Sequence, residues 1–272
     1  MAKLCKWFGI SRQAYYQSKL KRERLDTSHE KVLKEVEKIR DQHMRMGTRK
    51  LYEKLKPFLK QEQIKMGRDA LFNLLSENRM LVRKRRRRVK TTCSSHWFRK
   101  YPNLIKGFVP TTSNQLWVSD ITYWKISKGF VYISLITDAY SHKIVGYHVA
   151  DTLESIHTLQ ALKSALSDFK KESESQFQLI HHSDRGIQYC SHEYTGLLKK
   201  NTIAISMTEN GDPLENPVAE RVNGIIKEEY LNNYIVNDLD QAKTLLDYVV
   251  RLYNEDRPHS SISNMIPSTV HQ

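Results

Sequence analysis

The chain of 272 residues is predicted to contain a small all-helical unit followed by a larger α/β domain. Apolar residues have helical spacing in three early stretches, 28–41, 47–56 and 67–80, whereas runs rich in β-branched and aromatic residues begin after residue 114. The charge changes as well. Residues 1–110 contain 30 basic and 10 acidic side chains, and residues 111–272 contain 14 basic and 20 acidic ones. These two differences indicate that the two parts have different functions.

Residues 1–82 are interpreted as a helical DNA-binding module. The segment Gly9-Ile10-Ser11 separates two short helical patterns, which suits a helix-turn-helix fragment with Ser11 as the N-cap of the second helix. The excess of basic residues favours a polyanionic partner, most simply nucleic acid, because bound phosphates release counterions. The alternative is a helical bundle whose lysines and arginines serve only to keep it solvated.

Residues 83–112 are expected to form a basic linker. The stretch RKRRRRVK, residues 83–90, begins with six consecutive positive charges, which repel one another and favour an extended arm along a phosphate backbone. A nuclear-import signal would have the same composition. The candidate DNA contacts in this stretch are Arg85, Arg86, Arg87 and Arg88.

The cysteine content and the hydropathy pattern indicate a reducing, cytoplasmic setting with no membrane segment. Cys5, Cys93 and Cys190 are too few for a disulfide framework, and the absence of a C-x-x-C motif disfavours a structural zinc site. No apolar run approaches the length of about 18 residues that a membrane-spanning helix needs.

Residues 113–272 are predicted to form the α/β domain, beginning with a three-stranded antiparallel meander in QLWVSDITYW, GFVYISLITD and KIVGYHVA. A helix at 153–169, a strand at 177–182, a short helix in EYTGLLKK and a strand in IAISMT follow. Helices at 217–230 and 239–254 complete the domain. This order is typical of a ribonuclease-H-like fold, a five-stranded mixed sheet with helices on both faces.

Two carboxylates in this domain interrupt strands that should be buried. Asp120 shares a strand face with Val118, and Asp184 directly follows an apolar strand. Burying an unpaired charge costs several kcal/mol, so each carboxylate needs a capping role, an ion pair with Arg185, or a metal ion. Gly186 is expected to permit a tight turn here. A divalent cation bound by both carboxylates is the simplest shared solution, and oxygen ligands select Mg²⁺ or Mn²⁺.

Glu220 is the third candidate metal ligand. Asn216 as the N-cap and Pro217 at the first helical position would place Glu220 about one turn into a helix. Lys227, seven residues later, should project from the same side and could contact a phosphate. The alternative is an exposed glutamate with a solvated lysine.

Taken together, these residues resemble the catalytic triad of the retroviral-integrase and DDE transposase superfamily, with 35 residues between the second aspartate and the glutamate. Blocks along nearly the whole chain are similar to the second-reading-frame transposases of the insertion-sequence family called IS-three. The blocks are FGISRQAYY, MGTRKLYEKL, PNLIKGFVPTTSNQLWVSDITY, HHSDRGIQYCS, NPVAERVNGIIKEE and YNEDRPHSSISNMIPS.

The resemblance implies that Asp120, Asp184 and Glu220 bind two Mg²⁺ ions, for which Mn²⁺ can substitute, and that Lys227 contacts DNA. Arg185 is a further candidate DNA contact. The implied activity is binding of the element's terminal inverted repeats, strand cleavage and strand transfer into target DNA. The implied partners are further copies of the chain on DNA and a product of the upstream reading frame. The alternatives are a catalytically silent DNA-binding regulator and a ribonuclease-H-like nuclease that only cuts.

Three further polar groups could be functional or structural. Asp138 ends the second strand, where a turn or cap role is favoured over that of an accessory acid. His182 either orients a phosphate or is satisfied by backbone groups. The segment Arg257-Pro258-His259 is expected to pack the C-terminal helix onto the sheet.

Overall fold

The computed structural model describes residues 7, 9, 11–82, 97–172, 178–209 and 215–271, without the side chains of residues 21–24 and 170–172. The chain divides into two compact units, Met1–Arg83 and Lys84–Gln272. The predicted contacts Arg85, Arg86, Arg87 and Arg88 lie outside the described residues, as do Cys5, Cys93 and most of the first helix of the predicted helix-turn-helix fragment.

The helical unit consists of α1 (Arg12–Gln42), α2 (Thr48–Gln61) and α3 (Arg68–Glu77). The prediction for Ser11 is confirmed, because its side chain accepts a hydrogen bond from the backbone N–H of Ala14 at 3.0 Å. The expectation of a short helix before residue 20 is wrong. That pattern and the one at 28–41 belong to a single helix, because no glycine or proline interrupts residues 12–42.

The three helices of this unit share one apolar core. Its fully buried members come from all three helices and from the turn after α1, and they recur at the three- and four-residue spacing of amphipathic helices. They are Val32, Val36, Met46, Leu51, Leu55, Leu71 and Leu75.

The second unit is built on a five-stranded mixed sheet with the order β3-β2-β1-β4-β5. The first three strands are antiparallel, and β4 and β5 run parallel to β1, which confirms both the predicted meander and the predicted mixed sheet. The strands are β1 (Leu116–Ile126), β2 (Gly129–Asp138), β3 (Ile144–Ala150), β4 (Ile180–Ser183) and β5 (Ala204–Met207).

Helices cover both faces of this sheet, as the predicted fold requires. One face packs against α4 (Ser155–Glu172), α5 (Ile187–Cys190) and α6 (His192–Lys200). The other packs against α7 (Pro217–Ile225) and α8 (Leu239–Glu255). After α7 the chain forms a π-helical turn (Ile226–Tyr230) and a 3₁₀ turn (Leu231–Asn233), and the short helix α9 (Pro267–Val270) lies near the end.

Within the described ranges, no helix combines the length and the apolar character needed to cross a membrane.

Candidate active site

Asp120 and Asp184 lie on neighbouring parallel strands. Strand β1 pairs with β4 in a register that places Val118 beside His182. Extending this register by two residues places Asp120 opposite Asp184, which directly follows the end of β4. Parallel pairing therefore brings together two carboxylates that are 64 positions apart in the sequence.

Asp120 is held by hydrogen bonds to both of its oxygens. Its Oδ1 accepts the backbone N–H of Ile121 at 2.9 Å, and its Oδ2 accepts the side-chain amide of Asn223 at 2.8 Å. Burial nevertheless raises the pKa of Asp120 to about 7, and the negative charges of Asp184 and Glu220 act in the same direction. The ionised form of Asp120 is therefore costly, and a nearby cation would stabilise it.

Asp184 is fixed by the turn that follows it. Its Oδ1 accepts the backbone N–H of Gly186 at 2.9 Å. The predicted tight turn is present, but Gly186 has an ordinary φ of −62°, so the turn does not depend on a left-handed backbone. The reason for glycine is space, because a Cβ at this position would lie 2.9 Å from Asp184 Oδ1. The Arg185 guanidinium donates a hydrogen bond to the carbonyl of Glu209, which anchors the turn to the loop after β5.

Glu220 lies in the first turn of α7, as expected from Pro217 at the first helical position. Asn216 occupies the predicted N-cap position, but its side chain makes no capping hydrogen bond. Instead, Asn216 Nδ2 donates to the carbonyl of Ser119 at 2.9 Å. The start of α7 is thereby attached to β1 immediately before Asp120, which brings Glu220 close enough to influence the pKa of Asp120.

The donor chemistry of the three carboxylates fits a hard divalent cation, because all of the oxygens are anionic and the charges of Asp184 and Glu220 both act on Asp120. Within the parts of the chain that the structure describes, no three His, Cys, Asp or Glu side chains converge closely enough to hold a metal ion. The three carboxylates therefore have the ligand chemistry that a metal ion needs, although their side chains do not converge on one point.

Lys227 lies beside this acidic group, in the π-helical turn after α7. Its Nζ sits 4.2 Å from the centre of the Tyr123 ring. Burial lowers the pKa of Lys227, while the charges of Glu228 and Asp120 oppose the shift. The predicted seven-residue helical spacing to Glu220 does not apply, since the helix widens before it reaches Lys227. The predicted proximity to the carboxylates is nevertheless seen.

Asp138 has a structural role in the turn between β2 and β3. Its side chain is fully buried, and it accepts hydrogen bonds from the backbone N–H of Asn114 at 2.8 Å and from the N–H and O–H of Ser141 at 2.8 and 2.7 Å. Burial raises the pKa of Asp138, but these hydrogen bonds and the His271 imidazole 3.7 Å away outweigh it, so the net pKa is lowered. These contacts support the favoured turn role.

His182 uses both ring nitrogens within the protein. Nδ1 lies 2.8 Å from Ser206 Oγ, and Nε2 lies 3.1 Å from the Glu215 carbonyl. A carbonyl can only accept, so Nε2 carries the proton and Nδ1 accepts from the serine hydroxyl. Burial lowers the pKa of His182 to about 4, although the Glu215 carbonyl opposes the shift. The geometry therefore favours the structural interpretation over phosphate binding.

Arg257 joins the end of α8 to the π-helical turn. Its Nε and Nη2 donate to the two carboxylate oxygens of Glu229, both at 2.8 Å, and its side chain is fully buried. His259 stacks on His142 in the turn between β2 and β3, with ring centres 4.4 Å apart. The expected packing role of this segment is supported, but its ion-pair partner was not predicted.

The sequence did not indicate that Asn223 contacts Asp120 or that Tyr123 contacts Lys227. Asn223 lies three residues after Glu220, so helical spacing alone would have placed it near the same face. Tyr123 is three residues after Asp120 on a strand and should therefore face the opposite way, so no simple pattern connects it to Lys227.

Two family models match this part of the chain. Residues 110–213 and residues 201–267 match models that are both described as "Integrase core domain". The five-stranded mixed sheet with helices on both faces agrees with these matches. The fold and the matches therefore define an integrase core.

Known proteins match over a longer range. The uncharacterized 31 kDa protein of insertion element IS600 from Shigella sonnei is 34% identical over 269 residues, which cover 97% of this chain and 96% of the relative. The transposase for insertion sequence element IS629 from Shigella sonnei is 30% identical over 236 residues, which cover 84% of this chain and 77% of the relative. The chain belongs to the insertion-sequence transposases of the DDE and integrase superfamily.

A solved structure supports the fold. A chain in the cryo-EM structure of the simian T-cell lymphotropic virus intasome in complex with PP2A regulatory subunit B56 gamma superposes with a TM-score of 0.52 at 15% identity. The match covers 84% of this chain and 71% of that one.

Proposed function

We propose that this transposase binds the terminal inverted repeats of its own insertion sequence, cuts a DNA strand there and joins the exposed end to target DNA. The observation that carries the proposal is the environment of Asp120. This carboxylate lies near Asp184 and Glu220, and burial together with their negative charges raises its pKa to about 7. Such an arrangement is costly in a purely structural role and is useful when a cation is bound.

In this proposal, Asp120, Asp184 and Glu220 hold two Mg²⁺ ions, and Mn²⁺ can replace them. When bound, the ions activate the attacking water or 3′-hydroxyl and stabilise the attacking and leaving oxygens of the phosphodiester. The protein keeps the ligands in place. Asn223 orients Asp120 through its amide, and the Gly186 N–H orients Asp184.

Lys227 is proposed to bind a phosphate of the DNA strand that is being cut. Its ammonium is held over Tyr123, and it is close enough to Asp120 for the two charges to interact. A cation in this position would attract the phosphate backbone toward the carboxylates. Arg185 and residues Arg85, Arg86, Arg87 and Arg88 are proposed as further backbone contacts.

The test is an end-labelled duplex that carries a terminal repeat, incubated with the full chain and Mg²⁺. The wild type should give both nicked and joined DNA. Asp184→Asn and Glu220→Gln should each abolish both products. Asp240→Asn is the matched control, because Asp240 is exposed and its ion pair with Lys243, at 3.0 Å, lies on the surface; it should react like the wild type.

The products separate this function from its competitors. Nicking without joining would indicate a nuclease that only cuts. Binding that does not require metal, without any cleavage, would indicate a silent regulator. Either result would refute the proposed activity.

The proposed partners are DNA and further copies of the same chain assembled on it, together with an upstream-frame product of the same element. The proposed location is the cytoplasm, in association with the nucleoid, where the DNA substrate would lie. Running the cleavage assay with and without the upstream-frame product, and measuring the mass of the DNA complex by light scattering, would test these partners.

A further inference from the structure

Helix α2 of the helical unit has one side that is rich in positive charge. Arg49, Lys56 and Lys60 are all exposed, and their spacings of seven and four residues place them along one side of the helix. Lys65, in the turn between α2 and α3, is exposed as well. We call these four residues the α2 stripe.

An open groove of about 310 Å³ adjoins this stripe. Lys56, Lys60 and Lys65 line it together with apolar residues that include Ile64 and Met66. No acidic side chain lines the groove among the described residues. The groove therefore combines positive charge with an apolar floor, which suits the phosphates and sugars of a nucleic-acid backbone.

The acidic residues nearest to the α2 stripe in sequence do not neutralise Lys60 and Lys65. Glu53 binds Lys56 at 2.6 Å, and Glu62 is bound by Lys31 of α1, also at 2.6 Å. Within the described part of the chain, Lys60 and Lys65 have no ion-pair partner. Two positive charges thus remain available at the groove.

The exposed side of α3 has a different character. Arg68 is paired with the adjacent Asp69 at 2.8 Å, Glu77 adds a second negative charge, and Phe72 is half exposed. One basic and two acidic groups make this side unfavourable for phosphate. Electrostatics therefore favour α2 over α3 as a DNA-facing surface.

We propose that the α2 stripe and its groove bind the phosphate backbone of duplex DNA, with Lys60 and Lys65 as the principal contacts. The inference rests on the proposed function, since it locates the DNA surface of the helical unit. Contacts of this kind fix the position of the protein on DNA without reading bases. They contribute to affinity through counterion release, so they have a defined salt dependence.

The experiment measures binding of the full chain to a fluorescently labelled terminal-repeat duplex over a range of salt concentrations. The double variant Lys60→Gln with Lys65→Gln should reduce the slope of log K against log salt by about 1.8, because each phosphate contact contributes about 0.9. The variant Lys60→Arg with Lys65→Arg should keep the wild-type slope. Lys34→Gln with Lys38→Gln on the exposed side of α1 removes the same formal charge, although Lys38 is paired with Glu35 at 2.9 Å, and should also keep the wild-type slope.

Two outcomes would overturn the inference: a wild-type slope in the Lys60 and Lys65 glutamine variant, or an equal loss of slope in the α1 control. A wild-type slope together with weakened binding to polyglutamate would indicate an acidic protein partner instead. The proposed function fails separately, if the wild-type chain neither binds nor cuts the duplex. Normal wild-type cutting with an unchanged slope in the variant refutes only the α2 stripe.

Discussion

Removal of the Glu229 carboxylate should strongly destabilise the α/β unit. Its partner Arg257 is fully buried and donates two hydrogen bonds of 2.8 Å to it, while the Glu229 side chain is itself only 17% exposed. Breaking a buried ion pair typically costs about 3–5 kcal/mol, because it leaves one charge without compensation. For Glu229→Gln we expect the lower end, about 3 kcal/mol, since the amide oxygen can still accept one hydrogen bond.

Replacing both partners should cost much less than replacing one. In Arg257→Met with Glu229→Leu no buried charge remains, and apolar replacement of buried pairs is often close to neutral. Urea unfolding of the full chain, followed by tryptophan fluorescence, measures these differences. Trp117 and Trp124 are each 1% exposed in the core and report on this unit. The midpoint for Glu229→Gln should fall by about 1 M or more at an ordinary urea m-value.

The control for this measurement is an exposed ion pair. Asp240→Asn breaks the pair with Lys243, in which the aspartate is 91% exposed, and should change stability by less than about 1 kcal/mol. The reasoning is wrong if Glu229→Gln and Asp240→Asn shift the midpoint equally. It is also wrong if Arg257→Met with Glu229→Leu loses as much stability as the single variants Arg257→Met and Glu229→Leu lose when their effects are added.

Three further variants test the site and the turn. Asn223→Ala should lower DNA cleavage about 10–100-fold with little change in folding, because it releases Asp120; an unchanged cleavage rate would contradict this role. Gly186→Ala should impair cleavage through a methyl group 2.9 Å from Asp184 Oδ1, with the thermal midpoint as the check on folding. Burial raises the pKa of Asp138, but its hydrogen bonds outweigh burial, so the net pKa in the folded protein is lowered. The ionised Asp138 therefore stabilises the fold fully above its unfolded pKa, and this stabilisation is lost as pH falls through its folded pKa. In Asp138→Asn, urea midpoints should therefore depend less on pH in the acid range, and an equally steep dependence would refute this.

The strands and helices of the α/β unit could be predicted from the sequence because each carries its own local pattern. The run from Leu116 to Ile126 is rich in β-branched and aromatic residues, and α8 repeats apolar residues at helical spacing. Asp120 and Asp184 were recognisable for a related reason. Charges on or beside apolar strands conflict with their surroundings, and that conflict is visible without a structure.

Other features depend on contacts between distant segments and have no local signal. Asn216 has the right residue type and position for an N-cap, yet its amide reaches the carbonyl of Ser119, 97 residues away. The glycine at position 186 reflects the closeness of Asp184 Oδ1, not an unusual backbone angle. In both cases a local rule identified an important residue, and the tertiary structure determined its role.

The π-helical turn at Ile226–Tyr230 makes the length of this segment as important as its chemistry. A π turn holds more residues per turn than the regular helix that precedes it. The turn therefore absorbs about one extra residue, so deleting one residue there would let the α-helix continue with little rotation of the side chains that follow. Adding a residue before Glu229 would instead rotate the later side chains by about 100°, and Glu229 would turn away from Arg257.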